Sequence, residues 1–508
     1  MGIIAKQSIK GTIVTYLGVA VGFVTTFFVI TRFLSAEDIG LARVMIDAAT
    51  LFIGLAQLGT SASILRFYPY FVSFSPKDGL SAQRSNNEHG FFFWTIVVPM
   101  VGFLLVALLF MVCYAPLSEW FGEKSPLFVN YYYLVLPLAF FMLYQTVFET
   151  NANVRMRIVF PRAVRELLTR VGLLAVYLLY AFDVVTTDGF VWSLVGVYAV
   201  AALCNTVYLF SLGGVSLKPD FAYLRQNPDI VRKYLLYTAF LVLSAVVSVL
   251  APTLSSFFIT AQMGLSYTGI FAIATYMAMM VSIPYRSLTA IAAPQLSLAI
   301  KHDDREQISR QLTQVSGNLL LIGGLILALM WVNIDLIFAI LPNGATYAVA
   351  RHTVLLLGIG QLCVATFQFT VTALSYSRYY PFTLLFSLVL TILALLLNNL
   401  FIPRWGIDGA ALATLTAQVS YYLIALITVR LALGSRIFTR RHLLTILLLV
   451  LLFAANALCL RYLPVGTIWL SSLLRTLLVV AVAALAYQWR ISPEINEYIH
   501  ALFHRIRL

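Results

Sequence analysis

Arg32, Asp47, Arg66, Gln145, Glu149 and Arg286 are the residues best placed to do chemistry, because each stands in or beside a long apolar run. A guanidinium in such a place suits an anionic group such as phosphate, which it binds through two parallel hydrogen bonds while staying charged. A carboxylate there could exchange a proton or a cation, and an amide trades hydrogen bonds with hydroxyls. Arg475 belongs with them. It falls about eight residues into its apolar run, about 12 Å along a helix. An arginine at that depth costs at least about 2.5–3.5 kcal/mol, so it needs a partner or an aqueous neighbour. Gln57, Asn318, Gln361, Gln368 and Gln418 are further amides within apolar runs. The plainer uses are also open: a long side chain near an interface reaches back to it, and an embedded amide can bond to a neighbouring helix.

These residues are carried by a chain whose rhythm is that of a multi-pass membrane protein. Its 508 residues are 61% hydrophobic and 10% charged, against roughly 25% charged in ordinary soluble domains. About twenty apolar residues span the hydrocarbon as helix, and helices satisfy their own backbone groups where water cannot. Fourteen runs qualify: 9–31, 44–66, 91–115, 129–150, 164–183, 189–212, 235–260, 266–290, 312–333, 351–375, 381–402, 407–430, 442–463 and 467–489. The first is too long for the apolar core of a signal peptide and is expected to be retained. The expected fold is therefore all-α, with loops too short to hold a water-soluble domain.

Charge orients the spans. With the N-terminus in the cytoplasm, 26 of the 33 basic residues fall in inside connections and six in outside ones, leaving Arg475 within a span. This asymmetry predicts both termini in the cytoplasm, and it makes the net charge of +13 a matter of topology rather than of nucleic-acid binding. Cys113, Cys204, Cys363 and Cys459 all fall in spans, with no CxxC or Cys/His cluster, so neither a disulfide framework nor a metal site is expected. No Gly-Lys-Ser/Thr loop is present, so no nucleotide cofactor is expected. The outside connections around 116–128 and 334–350 read as short loops without histidine, their acids being Glu119, Glu123 and Asp335. They are poor ground for a glycan polymerase or ligase, which would need acid–base or nucleophilic groups in a sizeable loop.

A faint repeat divides the chain. Ile30-Thr31 is followed nine residues later by Gly40, and Ile259-Thr260 by Gly269, an offset of 229. This fits a six-span half at 1–212, a linker at 213–234, a second half at 235–432 and an appended pair of spans at 433–508. Repeats of this kind recur in secondary transporters, with the substrate site between the halves. Pro137, Pro252 and Pro284 interrupt spans, and Pro252 is the candidate gating hinge.

Two local patterns carry a resemblance. Arg32-Phe33-Leu34-Ser35-Ala36-Glu37-Asp38-Ile39-Gly40 follows the first span. Asn399-Leu400-Phe401-Ile402-Pro403-Arg404-Trp405-Gly406-Ile407-Asp408-Gly409-Ala410-Ala411-Leu412-Ala413-Thr414 opens the twelfth, and its Gly406/Ala410 and Gly409/Ala413 pairs suit close helix approach. Both resemble the multidrug/oligosaccharidyl-lipid/polysaccharide exporter superfamily. Within it, the chain looks most like the polysaccharide-type flippases that export lipid-linked oligosaccharides such as O-antigen units. The resemblance implies two six-helix bundles around a cavity open alternately to each side. It also implies an undecaprenyl-diphosphate-linked substrate, the bacterial inner membrane, and glycosyltransferases and a polymerase as functional partners. The six residues named first are the expected polar lining of that cavity, because charge is otherwise costly to place near hydrocarbon.

Two relatives of that branch stay in view. Cation-coupled drug antiporters need a buried carboxylate, and spans 1 and 7 contain no Asp or Glu. Peptidoglycan-precursor flippases carry arginine in span 1, where this chain reads Gly22-Phe23-Val24-Thr25-Thr26. The orientation is checked by labelling single cysteines with an impermeant thiol reagent from outside. Positions 122 and 343 should react and positions 81 and 302 should not; the reverse pattern would invert the map.

Overall fold

The computed structural model of the chain describes residues 14–15, 17–71, 88–213, 215–226, 228–435, 437–462, 467–489, 492–494 and 496–497. The expected start of the first span at residue 9 lies outside these, as do Lys6, Lys10, Lys77, Ser81, Arg84, Arg436, Arg490, Arg505 and Arg507. Among the described residues all regular secondary structure is helical, and ten helices are long and apolar enough to cross a membrane. The chain divides into two compact units, Met1–Gly269 and Ile270–Leu508.

The first unit contains α1 (Leu17–Phe33), α2 (Ala36–Ala56), α3 (Thr60–Phe71), α4 (Phe91–Val112) and α5 (Val135–Val154). It continues through α6 (Thr169–Ala181), α7 (Thr187–Ser211) and α8 (Pro228–Met263). α9 (Leu265–Met279) begins here and runs into the second unit. There follow α10 (Ile283–Lys301), α11 (Arg305–Val332), α12 (Arg351–Tyr376), α13 (Pro381–Leu433), α14 (Arg440–Tyr462) and α15 (Ile468–Gln488).

Several expected boundaries move, each for a local reason. The span expected at 44–66 begins at Ala36, because Ser35 takes the N-cap position and exchanges hydrogen bonds with Asp38. It ends at Ala56, because Leu58 and Gly59 adopt positive φ and separate α2 from α3. The spans expected at 381–402 and 407–430 are two helical arms of α13 that join across a kink at a single residue, Gly406, with φ 58° and ψ −136°. The expected outside loops are not bare connections. Tyr114–Gly122 and Pro126–Asn130 are helical in one, Ile334–Ile340 and Gly344–Tyr347 in the other. The span expected at 164–183 opens with a wide π turn over Val164–Leu168 that carries Arg165 and Glu166.

Side-chain exposure follows the solvent expected for such a chain. Leu104, Leu105, Leu108, Leu109 and Val112 on α4 are each more than half exposed. An apolar surface of that extent is stable against lipid, which is as apolar as leucine. Tight interior packing comes instead from small residues. A Cβ on Gly40 would lie 1.9 Å from the Leu265 carbonyl oxygen, and a Cβ on Gly269 would lie 2.0 Å from the Ala36 carbonyl oxygen. The two contacts are reciprocal, since Ala36 and Leu265 stand to each other at the same offset as Gly40 and Gly269. Thr31 and Thr260 repeat the relation: each is buried and donates at 2.7 Å to a carbonyl four residues earlier, of Phe27 and Ser256. In the second unit, Gly409 lets the two arms of the broken α13 meet, because a Cβ there would lie 2.2 Å from the Phe401 carbonyl oxygen.

The connection after α7 is docked rather than loose. Asp220 meets His89 Nδ1 at 3.1 Å, and Tyr223 stacks on the His89 ring with centroids 4.2 Å apart. Gly90, at positive φ, leaves room for the backbone of Lys218 and Asp220 to pass. The Tyr223 amide, and then His89, hold the Asp220 carboxyl below its usual range.

The helix crossing at Gly40 yields a test. Gly40→Ala forces a backbone shift of the kind that costs about 1–3 kcal/mol. Gly122→Ala meets nothing within 4 Å. Thermal unfolding of the detergent-solubilised variants should show a lowered midpoint for Gly40→Ala and none for Gly122→Ala.

Candidate functional site

The embedded acids of the first unit are each held by an arginine. On α2, Arg43 Nε donates to Asp47 Oδ2 at 2.8 Å, one helical turn away, and Asp47 also bonds to Ser256 of α8. Just before α4, both carboxylate oxygens of Glu88 accept from one guanidinium nitrogen of Arg155, at 2.7 and 2.6 Å, with side chains only 5% and 10% exposed. Tyr68 donates to the same carboxylate and the Arg155 guanidinium lies over its ring. Paired in this way, a carboxylate and a guanidinium can stay ionised away from water.

A longer chain of charges joins three helices. Glu149 Oε1, buried near the end of α5, receives Arg165 at 2.9 Å. Arg165 also reaches Glu166 at 3.4 Å, and Glu166 receives Arg170 of α6 at 3.0 Å. Arg170 then donates to the Gly18 carbonyl of α1 at 2.7 Å. A Cβ at Gly22 would lie 2.6 Å from this guanidinium, so glycine at 22 leaves the room it occupies. The wide turn at Val164–Leu168 makes this possible: it gives Arg165 and Glu166 different directions at the opening of α6. Gln145, one turn before Glu149 and also buried, donates to Thr169 at 3.4 Å, at the same junction.

The sequence-predicted site residues thus separate into groups. Gln145 and Glu149 come together on α5 beside α6. Asp47 is buried on α2, which packs against both α5 and α8. Arg32 and Arg66 are exposed, the first beside the Phe33 ring and the second 4.2 Å over the Tyr237 ring. Arg286 is exposed near the start of α10 in the second unit. Pro252 lies inside α8 with an exposed ring.

Sequence reasoning missed Arg165, Glu166 and Arg170 as a set, treating the two arginines as part of a cytoplasmic connection. The available signal was Glu166 and Arg170 at i, i+4 at the opening of an apolar run, the spacing of facing neighbours on a helix. The embedded amides divide likewise. Gln368 of α12 accepts from Tyr422 of α13 at 2.8 Å, which is an interhelical bond. Gln418 Oε1 is buried without a hydrogen-bond partner among the described residues.

Comparisons with known proteins agree with this architecture. The family model described as "Polysaccharide biosynthesis protein" matches residues 4–298. A solved structure described as "Lipid II flippase MurJ, inward closed conformation" is 12% identical with a TM-score of 0.64, covering 94% of this chain and 99% of its own. An inward-facing multidrug resistance MATE family transporter is 12% identical with a TM-score of 0.62, covering 83% and 98%. A transporter of the same superfamily from Pyrococcus furiosus is 13% identical with a TM-score of 0.52, covering 85% and 95%. At such identities the likeness is one of fold. No curated protein matches the sequence. With more than half its length matched by the family model, this chain belongs to the polysaccharide biosynthesis protein family.

Proposed function

We propose that the chain moves an undecaprenyl-diphosphate-linked oligosaccharide across the bacterial inner membrane by alternating access, without changing it chemically. The observation that carries this reading is the charge chain from Glu149 to Arg170 in a member of this family. It pairs Arg165 and Arg170 with Glu149 and Glu166, and Arg162, in the short helix Val159–Ala163 just before, adds its charge to the field at Glu149. The surplus is positive, which suits a diphosphate. Arg32, Asp47, Arg66, Gln145, Glu149 and Arg286 are the proposed polar lining, and a bend at Pro252 is the proposed gate. Two six-helix halves, 1–212 and 235–432, alternate about the cavity, with both termini in the cytoplasm. The reciprocal contact of Gly40 and Gly269 supports that internal symmetry. If two negative charges move outward uncompensated, an inside-negative potential of about 100 mV assists by about 4–5 kcal/mol.

A drug-antiporter reading is disfavoured because spans 1 and 7, at 9–31 and 235–260, contain no Asp or Glu. One observation favours a second reading, a peptidoglycan-precursor flippase. The positive charge that the stretch Gly22–Thr26 of α1 lacks is supplied beside Gly22 by Arg170.

Deletion should make undecaprenyl-linked oligosaccharide accumulate on the cytoplasmic face and deplete surface glycan. Accumulation of peptidoglycan precursor instead would select the second reading, and raised sensitivity to cationic drugs with surface glycan unchanged would select the antiporter. In the same assay, Glu166→Ala and Arg170→Ala should each cut surface glycan severalfold. The double variant should fall no further than either alone, because the two side chains act as one unit.

A further inference from the structure

The second unit contains a cation with too little anion. Asp335, in the short helix after α11, is clasped by Arg351 at the start of α12: Nη1 meets Oδ1 at 2.9 Å and Nη2 meets Oδ2 at 3.3 Å. Both carboxylate oxygens are taken by that fork. Arg475, on α15, points at the same group, yet its Nη1 stays 3.9 Å from Asp335 Oδ2. That is beyond hydrogen-bond length, and Nη1 has no hydrogen-bond partner among the described residues. The Nε is spent on the Ser471 carbonyl of its own helix. Two guanidiniums and one carboxylate leave the cluster one positive charge in excess.

The charge is also deep. The Arg475 side chain is 5% exposed, while Asp335 and Arg351 are 33% and 36% exposed. The cluster is therefore open on the Asp335–Arg351 side and closed behind Arg475. One turn before Arg475 on α15, the buried Ser472 hydroxyl likewise has no partner among the described residues. Asn333 and Thr476 bond to each other through both polar atoms at 2.9 and 3.2 Å, fixing the end of α11 against α15. The Trp331 ring lies 5.4 Å from the Arg351 guanidinium carbon and steadies it. A buried guanidinium with an unmade hydrogen bond costs more than almost any neutral group in its position. An anionic oxygen would satisfy both the unmade hydrogen bond and the excess charge.

We propose that Arg475, with Arg351 at its mouth, forms a binding site for one phosphate group. In a membrane the phosphate of an anionic glycerophospholipid headgroup supplies that chemistry, and so does a free phosphate anion. The phosphate oxygen accepts from Arg475 Nη1 and replaces the contact that Asp335 is too far away to make. Asp335 is then a positioning residue: it orients Arg351 and limits the net charge, but competes with the ligand.

This role separates the proposal from a purely structural ion pair. The full chain, purified in detergent, is titrated with palmitoyl-oleoyl phosphatidylglycerol or with phosphatidylcholine of the same acyl chains, and retained lipid is read by native mass spectrometry. The wild type should retain the phosphatidylglycerol in preference. Arg475→Gln should lose that preference, by a factor of about 3–10, which is about 0.7–1.4 kcal/mol by RT ln. Arg351→Gln should lose it too, because the freed Asp335 then neutralises Arg475. Asp335→Asn should keep or raise it, whereas a structural ion pair predicts that this variant behaves like Arg475→Gln. Displacement of the phosphatidylglycerol by millimolar inorganic phosphate in the wild type, and not in Arg475→Gln, supports the site with free phosphate as a competent occupant. Equal retention of both lipids by the wild type, or loss of preference in Asp335→Asn, overturns it. Asp335→Asn and Arg351→Gln keep the test decisive if Arg475→Gln does not fold.

Discussion

Within an apolar chain, a charge persists only where a neighbour neutralises it, and much of this molecule is arranged around that constraint. Asp47, Glu88, Glu149 and Glu166 each meet an arginine within 3.0 Å. Breaking a buried pair by removing one partner costs far more than the pair contributes when intact. A pairing that bridges two elements therefore fixes their relative position. Glu88 and Arg155 tie the segment just before α4 to the end of α5. The chain from Glu149 to Arg170 ties α5, the opening of α6 and α1. Asp335 with Arg351 ties the segment after α11 to α12.

Close helix approach is the second means of cohesion. Lipid offers no hydrophobic drive between apolar helices, so they hold by contact area and by backbone proximity. Glycine and alanine occur where backbones meet. Gly40 and Gly269 face each other's helices, and Gly409 lets the arms of α13 touch. Ala410, Ala411 and Ala413 are wholly buried beside it. The two motifs that suggested a family at the level of sequence thus have physical explanations. Leu34 is buried, Ser35 caps α2 through Asp38, and Gly40 makes the close crossing. In the second motif Gly406 breaks the helix, Asp408 accepts from Thr353, and the alanines pack.

These two means suit the alternating access proposed above. Ion pairs and small-residue contacts are strong at fixed geometry and lose much of their strength when shifted by an ångström or two. Interfaces held by them have discrete arrangements rather than a continuous range.

The sequence alone determined that the chain is all-helical and membrane-embedded, because a period of apolar runs about twenty residues long has one solution in hydrocarbon. It also determined the places of most helices, the family, and the need of Arg475 for a partner. It named Gln145 and Glu149, which do come together, since an ionisable group in an apolar run is conspicuous by composition. It could not name the partners. Arg165, Glu166 and Arg170 looked like loop charge because linear sequence does not show that the opening of α6 folds back against α1. Asp335 looked like an ordinary loop acid because the 139 residues between it and Arg475 are closed only by tertiary packing. Hydrophobic periodicity reports the solvent around each helix. Which helices are neighbours, and so which charges are neutralised and which are left wanting an anion, depends on side-chain complementarity across the fold, and that was decided only by the tertiary structure.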